Sequence, residues 1–329
     1  MGDRIRIGLL GCSSIAVRSI LPAIKRNPQF ELIAVGARSH EKARRFAESF
    51  SCRGGSYDDI LNDPSIDAVY VSLPVGLHYE WGERVLISGK HLLLEKTFTH
   101  SLPTAQQLVY LAQKQQFVAM EALPYVYHPL FRRVREIAKS GELGALRHME
   151  AFFGFPYLPE GDIRYRPELG GGAILDALVY PLSFCLHIGG VDYLNYSHRA
   201  LYDEQRNIDV RGFLQIDWPA YSAHIAYGFG FAYHNTYTIW GETAYLTSER
   251  VFSRPPDLAA EVRIVRNGQV EAISVQPADH FGLMLDAFAS KIHGVDNLGF
   301  NQGDDILTRM RIISEMYERY GRSRAGEQK

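Results

Sequence analysis

The chain is poor in cysteine and has no long tract of charge of one sign. Its 329 residues include three cysteines, and none forms a Cys-x-x-Cys pair or a Cys/His cluster. Metal and redox sites of those types need such spacings, so we predict no metal site. The formal net charge is -2, and no polybasic tract is present. Nucleic acid and anionic membrane are therefore not expected as partners.

The sequence also shows no pattern typical of a signal peptide or of a membrane-spanning segment. A strand-like apolar pattern begins at Arg4, which leaves no room for a signal peptide before it. No unbroken apolar stretch reaches the length that spans a bilayer, so we expect no membrane segment. A cytoplasmic protein is the expectation that follows.

The chain has two regions with different patterns of predicted strands and helices. Apolar strands and amphipathic helices alternate up to about residue 122, which predicts a Rossmann-type, doubly wound parallel sheet over 1–122. Residues 123–329 read as an α+β domain with a large, mostly antiparallel open sheet. We expect this domain to bind substrate and to oligomerise as a homodimer or homotetramer, because its apolar, aromatic outer face would need covering.

The first strand runs into a turn that suits a dinucleotide. The turn is a G-x-S-x-x-A variant, in which Gly11 allows a tight bend, Ser13 is small and Ala16 permits close helix packing. A helix N-terminus then faces the phosphates. The residues predicted to hold the cofactor here are Gly11, Cys12, Ser13, Ser14 and Ile15.

The end of the second strand indicates which nicotinamide cofactor fits. An NAD site usually has an acidic residue there, but residues 36–40 contain none, and Arg38 is followed by Ser39. An arginine beside a hydroxyl suits a 2′-phosphate, which favours NADP(H) over NAD(H). The alternative is that Arg38 is a solvated residue at the start of a helix.

The pair Glu95 and Lys96 ends the apolar run 92–94. In an open parallel sheet, ligands bind outside the carboxyl ends of the strands. Lys96 would there be a fixed cation that can touch the oxygen of a reacting carbonyl. The alternative is an ordinary surface ion pair.

Together these features resemble the Gfo/Idh/MocA oxidoreductase family over nearly the whole chain, and within it the nucleotide-sugar 3-ketoreductases. The segments that carry the resemblance are 73–81, 95–97, 166–176, 179–182 and 237–241. Two departures are Thr97, where the family usually has proline, and Val75, where many members have asparagine. The resemblance implies NADPH-dependent reduction at C3 of a TDP-linked 3,4-diketo-2,6-dideoxyhexose. We also expect Leu73, Pro74, His78, Glu95 and Lys96 to lie beside the cofactor.

A proton donor is also expected. Asp176 and Tyr180 are four residues apart in a segment expected to be helical after three glycines, so they would share a face of that helix. We expect both to point into a cleft that Lys96 enters from the other domain. Tyrosine normally titrates near pH ~10 and can donate a proton at neutral pH. We assign Tyr180 as donor, Lys96 as electrostatic stabiliser and Asp176 as partner of substrate or lysine; a core tyrosine is the alternative for Tyr180.

Further candidates for substrate contact lie on predicted loops and strands. Arginine forks match phosphate geometry, so Arg164 and Arg166 could clamp a phosphate, or could belong to a solvated loop. The other candidates are Tyr127, Tyr233 and Asn235, although an aromatic sheet face also fits a core or an oligomer interface. For His78, a helix-capping role is the alternative to cofactor contact.

Two other functions stay open on the sequence. A dehydrogenase or reductase of a free sugar, an inositol or a dihydrodiol would use the same scaffold and lysine, because fold does not fix substrate. A non-catalytic NADP-binding regulator belongs to a different class. The presence of Lys96, Asp176 and Tyr180 together argues against that class.

Overall fold

The structure is a computed structural model that describes residues 4–295 and 302–327, with side chains up to residue 318. The chain forms two compact units. The first comprises Met1–Pro124 and His280–Leu307, and the second comprises Tyr125–Asp279 and Thr308–Lys329.

The first unit is built on a six-stranded parallel sheet with strand order β3-β2-β1-β4-β5-β6. Its strands are β1 (Ile5–Leu10), β2 (Phe30–Gly36), β3 (Arg53–Gly55), β4 (Ala68–Val71), β5 (His91–Glu95) and β6 (Ala119–Ala122). The central strands are apolar on both faces, and Leu92, Leu93 and Leu94 are fully buried. Helices on both faces of a parallel sheet explain such uninterrupted apolar runs. The predicted doubly wound sheet is confirmed.

Helices connect these strands in the right order for a Rossmann fold. They are α1 (Leu21–Arg26), α2 (His40–Phe50), α3 (Tyr57–Asn62), α4 (His78–Ile87) and α5 (Leu102–Gln115). A π-helical segment, Ala16–Ile20, precedes α1. Ser39 caps α2, and Ser56 forms a capping box with Asp59 at the start of α3.

A late helix, α8 (His280–Ile292), packs within the first unit. The ring of Phe288 stacks on that of Phe30 with centroids 6.4 Å apart. The amide of Asn27 donates to the carboxylate of Asp286 over 2.8 Å. The sequence-based division assigned this segment to 123–329, but its apolar face covers α1 and β2. Local pattern could not reveal that return of the chain.

The second unit contains an eight-stranded sheet with order β14-β13-β12-β11-β7-β10-β9-β8. Its strands are β7 (Leu146–Phe155), β8 (Asn195–Asp203), β9 (Ile208–Asp217), β10 (Ser222–Phe229), β11 (His234–Gly241), β12 (Tyr245–Glu249), β13 (Ala260–Arg266) and β14 (Gln269–Val275). Neighbours are antiparallel except β7 and β10, which run parallel. The predicted mostly antiparallel open sheet is confirmed.

Three helices complete the described chain: α6 (Pro129–Ser140), α7 (Val179–Gly189) and α9 (Gln302–Glu327). The segment Pro167–Gly189, which includes α7, is long and apolar enough to cross a membrane by length and composition. However, 72% of its most apolar window is buried in the structure, as in the core helix of a globular protein. The expectation that no stretch reaches spanning length was therefore too simple.

Candidate active site

The turn after β1 lies directly against the end of β4. Gly11 has φ +96°, and a Cβ there would be 2.4 Å from the carbonyl oxygen of Ser72. Only glycine fits this backbone without strain. The hydroxyl oxygens of Ser13 and Ser72 are 2.5 Å apart, and the amide of Ala16 donates to Ser13 Oγ over 3.1 Å. Ser13 therefore fastens the turn, which explains why a serine can replace the usual second glycine.

The end of β2 presents positive charge. Arg38 is exposed, and Ser39 Oγ accepts a hydrogen bond from the amide of Lys42 over 3.3 Å. Burial raises the pKa of the Cys12 thiol, while the charge of Lys42 opposes that rise. Lys42 thus lies close to the glycine turn. Sequence reasoning missed it, although a basic residue in the first turn after β2 was the available signal.

Glu95 fixes the backbone amide of Lys96. Its carboxylate accepts from the phenol of Tyr70, and also from the amide of Lys96 over 3.2 Å. Burial raises the pKa of Glu95, and these hydrogen bonds oppose it. The Lys96 side chain is half-buried, and the Lys96–Thr97 peptide is cis.

A second buried carboxylate fixes the path of the chain beyond Lys96. Glu121 is 1% exposed, and its Oε1 accepts from the amide of Phe98 over 2.8 Å. Thr97 between them is buried. The loop that follows the lysine is therefore held in place without the proline that the family usually has there.

His78 joins the loop after β4 to the loop after β5. Its ring is fully buried, with Nδ1 2.8 Å from the carbonyl oxygen of Thr97 and Nε2 2.8 Å from that of Leu73. Two carbonyl neighbours favour the protonated ring, but burial prevails and lowers the pKa of His78 to about 4. Because the ring faces backbone on both sides, we assign His78 to holding Leu73 and Thr97 in place rather than to contact with a cofactor.

In the second unit, the structure brings Asp176 together with Arg164. Arg164 Nε donates to Asp176 Oδ2 over 2.7 Å, and its Nη1 is 3.2 Å from Asp162 Oδ1. The carboxylate of Asp176 raises the pKa of Arg164. Asp176 lies in a π-helical turn, Ile174–Leu178, instead of the predicted α-helix, which begins only at α7. Arg164 is thus bound by two carboxylates, which argues against the phosphate clamp that was one of its two predicted roles.

Tyr180 begins α7 and is half-buried. Its ring packs against three aromatic rings, with centroids 5.1 Å from Phe153, 6.0 Å from Phe252 and 6.3 Å from Tyr125. Such packing fixes the direction of the phenol. The position suits a group that must present one atom to a ligand, and it is less enclosed than that of a core tyrosine such as Tyr237, which is 1% exposed.

The remaining candidates fall into two groups. Arg166 and Tyr233 are accessible, at 55% and 45% exposed, and Arg166 pairs with Glu168 over 2.7 Å. Tyr127 and Asn235 are buried, at 5% and 3% exposed. Direct substrate contact by these two side chains is therefore not supported.

Asn235 organises the loop after β12. Its Oδ1 accepts from the amide of Phe252 over 2.9 Å, while Nδ2 is 3.0 Å from the phenol oxygen of Tyr233 and 3.1 Å from Ser253 Oγ. The segment that places Phe252 beside Tyr180 is thus held by Asn235. Its partners lie in a loop that local sequence cannot place beside β11.

Within the described residues, no group of three or more His, Cys, Asp or Glu side chains is arranged to hold a metal ion. The three cysteines are free thiols.

The fold and these sites define a class of dinucleotide-dependent oxidoreductase. Residues 5–123 match the family described as "Oxidoreductase family, NAD-binding Rossmann fold", and residues 131–247 match the "GFO/IDH/MocA C-terminal domain". The chain belongs to the Gfo/Idh/MocA oxidoreductase family.

Two relatives show which reactions occur among similar chains. A dTDP-3,4-didehydro-2,6-dideoxy-alpha-D-glucose 3-reductase from Saccharopolyspora spinosa is 36% identical, over 95% of this chain and 96% of the relative. A D-xylose 1-dehydrogenase (NADP(+)) from Haloferax volcanii is 30% identical, over 94% of this chain and 96% of the relative.

A solved structure matches nearly the whole fold. KijD10, a 3-ketoreductase from Actinomadura kijaniata in complex with NADP and TDP-benzene, has a TM-score of 0.90 at 32% identity. The match covers 94% of this chain and 96% of KijD10.

Proposed function

We propose that the protein reduces the C3 ketone of a TDP-linked 3,4-diketo-2,6-dideoxyhexose with NADPH. The observation that carries the proposal is the match over almost the full chain to a 3-reductase of this class and to KijD10 with NADP and TDP-benzene. Lys96 at the carboxyl end of β5 and Tyr180 at the start of α7 supply the cation and the proton donor that ketone reduction needs.

Residues of the first unit fit the proposed cofactor. The absent Cβ of Gly11 lets the turn lie against the carbonyl oxygen of Ser72, and the helix N-terminus that follows suits a pyrophosphate. Arg38 and Lys42 would neutralise a 2′-phosphate, because Arg38 follows β2, Lys42 lies in the first turn of α2 and the sequence has no acidic residue at 36–40. We propose that Leu73, Pro74 and Glu95 line the nicotinamide end. Bound NADPH supplies the hydride.

The other chemical need is a proton on the ketone oxygen. We propose that Tyr180 donates it as general acid and that Lys96 stabilises the negative charge developing on that oxygen. Structures of KijD10 with a tyrosine-to-phenylalanine and a lysine-to-alanine substitution match this fold at TM-scores of 0.91 and 0.87.

Asp176 has a different part in this proposal. Its ion pair with Arg164 keeps it an acceptor, so it would receive a hydrogen bond from a sugar hydroxyl and would not deliver the proton. Arg164 is then a positioning residue for Asp176. Loss of Arg164 would leave a half-buried carboxylate without its charge partner.

The nucleotide moiety needs cations and flat surfaces. The ion pair between Arg166 and Glu168 is solvent-exposed and therefore weak, so Arg166 can exchange the carboxylate for a phosphate. The accessible ring of Tyr233, with Arg250 5.7 Å from its centre, can stack on a base or sugar. We propose these two residues for the nucleotide.

We further propose a cytoplasmic homodimer or homotetramer. One face of the eight-stranded sheet exposes Phe213, Trp240 and Tyr245 at 49%, 57% and 37%. Paired sheet faces would remove that apolar surface from water. Light scattering should give the mass of two or four chains, and a monomer at micromolar concentration would contradict the proposal.

The function is tested by following NADPH oxidation with the TDP-linked 3-keto sugar made in situ. D-xylose with NADP+ is the parallel assay, because the Haloferax relative is named for that reaction. We expect turnover of the TDP-linked sugar only. Turnover of xylose alone would favour a dehydrogenase of a free sugar. Tight NADPH binding without turnover of any sugar ketone would favour a non-catalytic regulator.

A further inference from the structure

A buried carboxylate, Asp209, lies beneath the turn that leads into the Asp176–Tyr180 segment. Asp209 is near the start of β9 and is 2% exposed. Its Oδ2 accepts from the amide of Ile174 over 2.6 Å, and the amide of Ala173 also donates to it. These are the first residues of the helical segment, so Asp209 receives amide groups that would otherwise be left unpaired at a helix start.

The turn itself is shaped to receive this side chain. Gly172 has φ +112°, and a Cβ there would lie 2.2 Å from Asp209 Oδ1. The amide of Gly172 donates to the carbonyl of Arg164 over 2.9 Å, and the carbonyl of Gly172 accepts from the amide of Asp176 over 3.2 Å. One short turn therefore connects Asp209, Arg164 and Asp176 through backbone contacts.

Phenols also lie close to Asp209. Tyr317 of α9 is 3.4 Å from Asp209 Oδ1 and donates to it, and Tyr202 is opposite Asp209 in β8. The other ionisable group near Tyr317 is Tyr227 of β10. Burial raises the pKa of Asp209 to about 7, against the hydrogen bonds from Ile174, Ala173 and Tyr317. Both protonation states are thus populated near neutral pH.

We propose that Asp209 is a positioning residue whose ionised carboxylate fixes the turn at residues 172–174 and, through it, Asp176 and Tyr180. Protonation turns an acceptor oxygen into a donor, which weakens its hold on the amides of Ala173 and Ile174. The inference about catalysis rests on the proposed function. The inference about the turn does not.

The catalytic test compares pH profiles of kcat for wild type, D209N and D217N. Asp217 is at the other end of β9 and accepts a hydrogen bond from Gln215 over 3.0 Å, which makes D217N the matched control. We expect wild type and D217N to lose activity as pH falls through about 7, where Asp209 takes up its proton. D209N should have a kcat lowered about 10- to 100-fold by misplacement of the site, with no such acid limb and with unchanged NADPH affinity.

A milder variant guards against misfolding of D209N. Y317F removes one hydrogen bond to the ionised carboxylate, which raises the pKa of Asp209 further. The acid limb should therefore move to higher pH in Y317F. An acid limb that is the same in wild type, Y317F and D209N would overturn the catalytic part of the proposal.

Hydrogen exchange tests the turn without any substrate. After correction for intrinsic rates, the amides of 173 and 174 should exchange faster in wild type as pH falls through about 7, and fast at every pH in D209N. Wild-type protection of these amides in D209N would overturn the proposal. The amides of 173 and 174 could lose protection as Asp209 is protonated in a protein that does not turn over the TDP-linked sugar. That result would contradict only the proposed function.

Discussion

At the scale of the residue, Tyr180 is defined by what surrounds its ring. Phe153, Phe252 and Tyr125 pack around it, while the side chain as a whole stays half-exposed. A tyrosine held in this way loses little further freedom when a ligand binds, so its phenol is pre-oriented. Phe252 is itself placed by Asn235, whose Oδ1 accepts from its amide, so this buried asparagine supports the packing around Tyr180.

Replacing Tyr180 with phenylalanine removes only the proposed proton donor. We expect kcat with the TDP-linked sugar to fall about 10²- to 10⁴-fold, the usual contribution of general acid catalysis, with NADPH affinity unchanged. Stopped-flow measurement of hydride transfer and titration of NADPH fluorescence separate the two quantities. The control is Y110F, since Tyr110 is a 63% exposed tyrosine on α5. A Y180F enzyme with wild-type kcat would assign the proton to another group.

Sequence predicted some of these residues for sound physical reasons and missed others. Gly11 and the Glu95–Lys96 pair could be predicted because neighbouring residues alone indicate a tight turn and the end of a strand. The partnership of Asp176 with Arg164 depends on how a glycine-containing loop folds back. Periodicity carries no information about that closure, and it also gave an α-helical face where the chain makes a π-helical turn.

At the scale of the element, the loops after β4 and β5 are joined by one side chain. His78 starts α4 and reaches the carbonyl oxygens of Leu73 and Thr97. The neutral imidazole has one N–H, so it donates to one carbonyl at a time. The two loops proposed to carry the nicotinamide contacts and the lysine therefore pack against one buried ring, which can hydrogen-bond to either loop but not to both at once.

His78 also makes stability depend on pH. The unfolded ring takes up a proton below about 6.5, whereas burial delays protonation of the folded ring to about pH 4. The free energy of unfolding should therefore be highest above pH 6.5 and fall as pH drops towards 4, with His78 contributing up to roughly 3 kcal/mol. H78Q should be less stable than wild type at pH 7.5 but should lose less stability on acidification.

Urea unfolding of wild type and H78Q at pH 7.5, 6 and 5 measures this difference. Some slope should persist in H78Q, because burial also lowers the pKa of His128 to about 4. H40Q, which changes an exposed histidine of α2, is the control and should follow wild type. Equal acid slopes in H78Q and wild type would show that folding does not lower the pKa of His78.

At the scale of the whole molecule, composition and alternation predicted both sheets. The switch from βα alternation to consecutive strands near residue 122 is a global feature that needs no knowledge of contacts. The return of α8 to the first unit was missed, since its apolar residues fit either core equally well by pattern. The proposal of a TDP-linked substrate depends on similarity over the full chain, because the fold of the two sheets does not specify a sugar.

The most direct test of the whole account is the fate of the transferred hydride. The protein should be incubated with the TDP-linked 3,4-diketo-2,6-dideoxyhexose and NADPH deuterated at the nicotinamide C4 position that donates hydride, and the product examined by NMR. We expect deuterium bound at C3 of the sugar, with none at C4 of the sugar. Deuterium at C4, or unlabelled sugar with the cofactor unconsumed, would contradict it.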